Sequence, residues 1–174
     1  MEKIKYLGVA LLIGVLIGVA FWWVSVLQQE LENAIDQSEK IEQDRLNKFF
    51  SDLTSVYGYL YSRENGSFLL FLKIDEALLE GELTGSLLMM EKTVNENNPY
   101  KETRYVLNGI TDGIILQWYT TVDGISTKLE GNFHESAASF DLSFWTTDEK
   151  LLFHAVTEEE FKQSYEEFKT KVQR

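Results

Sequence analysis

A chain of 174 residues with a net charge of −12 and 44% hydrophobic residues can hold one membrane anchor and one domain of ordinary size. That acidity excludes nucleic acid as a partner, because an acidic surface repels phosphate backbones. The absence of cysteine excludes disulfides, thiolate metal sites, thiol nucleophiles and a lipid-modified cysteine.

Tyr6 to Leu27 contains neither a charged residue nor proline. As a helix rising 1.5 Å per residue, this run is long enough for a hydrocarbon core of about 30 Å. Lys3 and Lys5 precede it, and Gln28, Gln29, Glu30 and Glu32 follow. The basic flank predicts a cytoplasmic N-terminus, residues 1–5, a transmembrane helix over 6–27 and an extracytoplasmic remainder. Trp22 and Trp23 then fall at the outer headgroup layer, and Tyr6 at the inner one. A cleaved signal peptide is the competing reading, but it calls for a shorter apolar core and a small-residue cleavage site. This run ends instead in Trp22-Trp23-Val24-Ser25-Val26-Leu27. Gly14 and Gly18 lie one helical turn apart and form a candidate helix–helix contact, hence a candidate homodimer face. Glycine is common in spanning helices, so the pair also fits an ordinary membrane helix.

Residues 28–60 predict an amphipathic stalk helix. Leu31, Ile35, Leu46, Phe49, Leu53, Val56 and Leu60 recur at helical spacing, while Ser38 and Glu42 interrupt the stripe. The far half has an apolar face to pack against a domain. The near half is too weakly apolar for a sustained coiled coil and reads as a spacer.

From Ser67 the period changes to two, predicting an antiparallel β domain over 61–156 with about seven strands. Leu83, Leu87 and Met89 share one face, as do Ile114, Leu116 and Trp118. Ile125, Leu129 and Phe133 share another, as do Phe140, Leu142 and Phe144. The segments "EGELTGSLLMMEKT", "LNGITDGIILQWYTT" and "LEGNFHESAASFDLSFWTT" resemble one another and read as successive units of a meander. Asp112-Gly113 and Asp123-Gly124 are the dipeptides favoured where a tight hairpin needs positive φ. The glycine pairs Gly81/Gly85 and Gly109/Gly113 predict relief of crowding at hairpin ends. "EKTVNENNPYKE", with Pro99, reads as the longest loop, since proline cannot donate to a ladder. Residues 157–174 return to helical period. Thr157 and Glu160 form a capping box, and Phe161, Tyr165, Phe168 and Val172 form the apolar stripe.

The fold class expected is therefore mainly β with helices: an anchor, a stalk, a lipocalin-like barrel or curled sheet, and a terminal helix. This order of elements resembles membrane-anchored lipocalin-like β-barrel proteins of bacteria, in architecture and without a family motif. A second resemblance is to type IV pilin-like proteins, which join an apolar N-terminal helix to an amphipathic half and a sheet. Their processing site places a glycine before an aromatic residue, with glutamate five positions into the mature chain. Here Gly8 precedes Val9-Ala10-Leu11-Leu12 and no glutamate follows in the run.

No residue set satisfies a catalytic, cofactor or metal template. His134 and His154 are the only histidines, and "HESAAS" lacks the second histidine of a zinc-binding helix. Neither a nucleophile elbow nor a phosphate loop is present. Asn65-Gly66-Ser67 matches a glycosylation acceptor and reads as a turn. The expected function is that of a non-catalytic, single-pass, membrane-anchored module. Its expected partners are the bilayer through residues 6–27 and a small apolar ligand or a protein. The alternative is a structural or assembly component acting through the transmembrane and stalk helices.

Overall fold

The computed structural model describes residues 2–63, 66–95, 97–134, 136–144 and 150–173; the side chains of residues 2–21 and of Val24 lie outside this description. The chain forms two compact units, Met1–Asp44 and Arg45–Arg174.

The first unit is helical. It belongs to α1 (Glu2–Ser55), whose last turns lie in the second unit. Trp22, Trp23, Leu31, Ile35 and Ile41 are exposed along it. Among the described residues no helix is long and apolar enough to cross a membrane, and most of the side chains of the predicted span 6–27 lie outside them. Gly14 and Gly18 fall on α1 within that same stretch, so their contact surface also lies outside the described residues.

In the second unit eight strands close into a barrel: β1 (Gly58–Ser62), β2 (Phe68–Ala77), β3 (Glu82–Lys92), β4 (Tyr100–Thr111), β5 (Ile115–Val122), β6 (Ile125–His134), β7 (Ser139–Ser143) and β8 (Lys150–Val156). Each strand pairs antiparallel with the next, and β1 closes on β8 through Gly58↔Val156, Tyr59↔Ala155 and Leu60↔His154. The curled-sheet alternative thus gives way to a closed barrel, with eight strands instead of about seven.

The extra strand lies where the stalk stripe was expected to continue to Leu60. The helix ends at Ser55 instead, and Gly58 opens β1. In extended geometry Tyr59 and Tyr61 face the interior while Leu60 faces outward, so three apolar residues satisfy two different packing partners. Gly58 has a packing reason too: a Cβ there would collide with the Phe71 ring.

"SFLLFLKI" is almost continuously apolar because β2 is covered on both faces. Leu70 and Leu72 fill the barrel, while Leu69 and Phe71 lie beneath α2 (Glu158–Val172). The helix begins with both bonds of its capping box: Thr157 N–H donates to Glu160 Oε2 at 2.8 Å, and Glu160 N–H donates to Thr157 Oγ1 at 3.2 Å. Phe161 stacks on Phe71 with ring centroids 3.9 Å apart, and Phe168 and Val172 are buried in the same cluster.

The hairpins use the predicted turn chemistry. Asp123 (φ 50°) and Gly124 (φ 81°) form the two-residue turn between Val122 and Ile125. Gly113 (φ 84°) supplies the left-handed residue of the β4–β5 turn, where Asp112 Oδ1 accepts the N–H groups of Ile114 and Ile115. Gly85 and Gly109 sit within strands, where a Cβ would strike the backbone across the ladder. Of the predicted inward positions, Leu83, Leu87, Leu116, Trp118, Leu129, Phe133, Phe140, Leu142 and Phe144 are buried. Ile114 and Ile125 are exposed, because one lies in a turn and the other at a strand end.

One end of the barrel is stopped by α1. Phe49, Phe50 and Leu53 are buried there, and Phe49 meets Phe133 edge to face at 4.9 Å. Arg45 Nη2 donates to the carbonyl oxygen of Asp112 at 3.0 Å, fastening the helix to the β4–β5 turn.

Candidate functional surface

The barrel interior is the first place to seek a binding site, since eight strands leave room either for packed side chains or for one small ligand. Here Tyr59, Trp118, Phe133, Phe140 and Phe153 project inward among leucines. Leu70, Leu72, Leu87, Leu107, Leu116, Trp118, Leu129, Phe140, Leu142 and Phe153 each have 0% exposure. A side chain with no accessible surface borders no void large enough for water, so the volume around these ten residues is filled.

Two polar groups lie within that filled volume. Tyr59 donates its hydroxyl to the carbonyl oxygen of Ala137 at 2.8 Å, and burial pushes its phenol above the ordinary tyrosine pKa. Trp118 Nε1 has no hydrogen-bond partner among the described residues. At the other end Tyr61, Met89, Tyr105 and Thr127 are half-buried around the barrel mouth.

The sequence singled out two histidines, and the structure separates them by role. His134, expected at a turn, ends β6, where its Nε2 lies 2.9 Å from Asp141 Oδ2. Lys150 Nζ donates to Asp141 Oδ1 at 2.9 Å, and the Asn132 N–H reaches the same oxygen at 3.0 Å. Burial raises the Asp141 pKa, but Lys150, His134 and the Asn132 N–H outweigh it and hold the carboxyl below its ordinary value. This group ties β6, β7 and β8 together across the outer face. His154 faces outward on β8, as its alternation with Leu151, Phe153 and Ala155 requires. Among the described residues no three His, Asp or Glu side chains come together as a metal site. Asn65 lies outside the described residues, and Gly66 beside it has φ 64°.

Two features of the outer surface escaped the sequence reading. Leu78, Leu79, Ile110, Ile114 and Ile115 are exposed on or near the β2–β3 and β4–β5 turns. A shallow groove of about 340 Å³ runs beside Ile110 and Ile115, bordered by Glu80, Asp112 and Gln117.

The second feature is an unzipped seam. β4 pairs with β3 along its whole length, from Tyr100↔Lys92 to Ile110↔Glu82. With β5 it pairs only from Asn108↔Tyr119 to Thr111↔Leu116. From Tyr100 to Leu107, β4 has no strand on its β5 side among the described residues. A groove of about 480 Å³ opens there, lined by Arg104, Tyr105, Val106 and Asn108 on one side and Tyr119, Thr120, Thr121 and Ser126 on the other. Thr120 crosses it with one bond, its hydroxyl donating to the Val106 carbonyl oxygen at 2.8 Å. Tyr105 lines the seam, and burial, with the charges of Asp123 and Glu91, raises its phenol pKa.

Nothing in the alternation of "YKETRYVLNGIT" distinguishes a strand paired on both sides from one paired on one side. The usable signal is the length mismatch between β4 (12 residues) and β5 (8 residues). Comparison with protein families, with curated proteins and with solved structures found no match.

Proposed function

We propose that the chain is a single-pass, membrane-anchored, non-catalytic protein whose barrel stands outside the cytoplasm and binds a protein partner on its outer surface. The observation that carries this reading is the filled interior. Ten inward side chains without accessible surface, and an end stopped by Phe49, Phe50 and Leu53, leave little room for the small apolar ligand that the bare sequence also allowed. The outside of the barrel offers features for recognition: the β4–β5 seam supplies backbone groups and the exposed isoleucines supply apolar area. The anchor rests on the uncharged run 6–27 and its basic flank.

Fractionation with protease treatment of intact cells tests the placement. The full chain should stay with the membrane through alkaline extraction, and external protease should remove the barrel after the outer membrane or wall is opened. Release into the soluble fraction would overturn the anchor. Thermal unfolding of the detergent-solubilised chain tests the binding mode: a panel of fatty acids and sterols should leave the midpoint unchanged. A concentration-dependent rise with any of them would restore the ligand reading.

The second reading, an assembly component acting through its helices, is favoured by one observation. α1 is a single helix from Glu2 to Ser55, longer than a bilayer span requires. Crosslinkers placed at Leu31 or Ile35, both exposed, should then capture a defined partner or a second copy.

A further inference from the structure

We propose that the β4–β5 seam is a strand-addition site that takes an extended segment of the protein partner, antiparallel to Glu102–Val106. This rests on the protein-binding reading above and names the chemistry of the partner.

The argument begins with the direction of the backbone groups. In a strand, the N–H and C=O of one residue point to the same side, and the next residue's point to the other. Thr111 N–H donates to the Gly81 carbonyl at 2.8 Å, so the odd-numbered residues of β4 face β3. The Val106 carbonyl accepts from Thr120, so the even-numbered residues face the seam. Glu102 and Arg104 therefore each direct one N–H and one C=O into a groove with no strand beside them, and Val106 directs its N–H there as well. Unpaired edge groups in a row form a template that an extended chain satisfies best.

Closed barrels remove their edges, and this one does so everywhere else along β4 and β5. α2 packs on the face formed by Leu69, Phe71, Leu88 and Met90 and meets β4 at Tyr100 and Glu102.

The side chains along this edge specify the occupant. Arg104 is exposed, with its Nη2 3.7 Å from Glu102 Oε1. Glu102 also accepts a hydrogen bond from the Tyr165 hydroxyl at 3.0 Å, which holds its carboxylate at the edge. Residues directly opposite in an antiparallel pair share a face, where opposite charges attract and like charges repel. An added strand thus carries an apolar residue opposite Val106, an acidic residue opposite Arg104 and a basic residue opposite Glu102, at alternate positions. The residue between the first two lies opposite Tyr105 and is apolar as well, because Tyr105 is half-buried at the barrel mouth.

The probe is a capped peptide, Thr-Val-Leu-Glu-Thr-Lys-Thr, added to the full chain in nanodiscs and followed by amide hydrogen exchange. Without peptide, the amides of Glu102 and Arg104 should exchange faster than those of Thr103 and Leu107. With peptide at saturation, exchange at Glu102, Arg104 and Val106 should slow by about tenfold or more. Replacing the peptide glutamate with lysine should weaken binding to the native chain several-fold, and Arg104→Glu should reverse that preference between the two peptides. Arg104 is exposed, so this variant keeps the fold, and unchanged exchange at Leu129 and Phe153 verifies that.

Absence of slowing at the three amides overturns the seam, as does equal binding of both peptides to both chains. Protection confined to another surface removes the seam while leaving a protein-binding barrel in place. Slowing at the seam in a chain that fractionates as soluble removes the anchor alone.

Discussion

Gly131 sits where β6 and β7 leave no room for a side chain. A Cβ at this position would collide with the carbonyl oxygen of Asp141 on β7. Gly124, by contrast, has nothing near the place a Cβ would occupy, and only its φ of 81° opposes a side chain. Gly131→Ala should therefore destabilise the barrel by about 2–3 kcal/mol, through a forced shift of β6 from β7. Gly124→Ala should cost only about 1–2 kcal/mol, the penalty of a left-handed L-residue. Urea unfolding of both variants checks the order. Equal losses would mean that backbone strain alone sets the cost.

The Asp141 carboxylate makes a second prediction at this scale. Its pKa lies below the ordinary value in the fold, so its contribution to stability is present above the unfolded-state pKa. That contribution disappears as pH falls through the lower folded value, hence below about pH 4. Thermal scans between about pH 6 and pH 3 should show Asp141→Asn losing less on acidification than the parent chain. Asp112 keeps part of the slope, since burial raises its pKa but N–H bonds from Ile115 and Ile114 and the charge of Arg45 hold it below the ordinary value.

Among the elements, α2 shows how a helix is made by its ends and held by one face. The capping box satisfies two otherwise unpaired groups, and the Phe161, Tyr165, Phe168, Val172 stripe covers the outside of β2 and β3. Thr157→Ala should cost about 1 kcal/mol and Phe168→Ala about 3–5 kcal/mol, measured by urea unfolding. If the two losses were similar, the helix would be held by its cap and not by its packing.

This helix was also the element most open to sequence reading, because its cap and stripe are local signals. The strands were legible wherever one face met solvent, as in Phe140, Asp141, Leu142 and Ser143. Legibility failed at two kinds of position. Val56, Tyr59 and Leu60 carry apolar residues that suit a helix stripe as well as a doubly covered strand, and Gly58 decides the matter only through its contact with Phe71. The seam failed for a different reason: pairing partners are a property of two strands, and the alternation within β4 is the same whether or not β5 lies alongside.

For the whole molecule, the filled interior and the outer α2 make the barrel a core with two hydrophobic layers, one inside the strands and one beneath the helix. Removing β8 and α2 together opens both. A chain ending at Phe144 should lack a cooperative unfolding transition and aggregate, because β1 and β7 each lose a partner and Leu69, Phe71, Leu88 and Met90 lose their cover. Differential scanning calorimetry distinguishes this from a barrel that merely loses some stability.

The pairing of Leu60 with His154 has a consequence for synthesis. The strand nearest the N-terminus must wait for the last strand, β8, before its outer edge is satisfied. A chain emerging in order therefore carries an open sheet through most of its translation, and closure is a single late event. Contacts that distant in sequence form slowly. The growing chain is most vulnerable to proteases and to pairing with its neighbours in the interval just before His154 emerges.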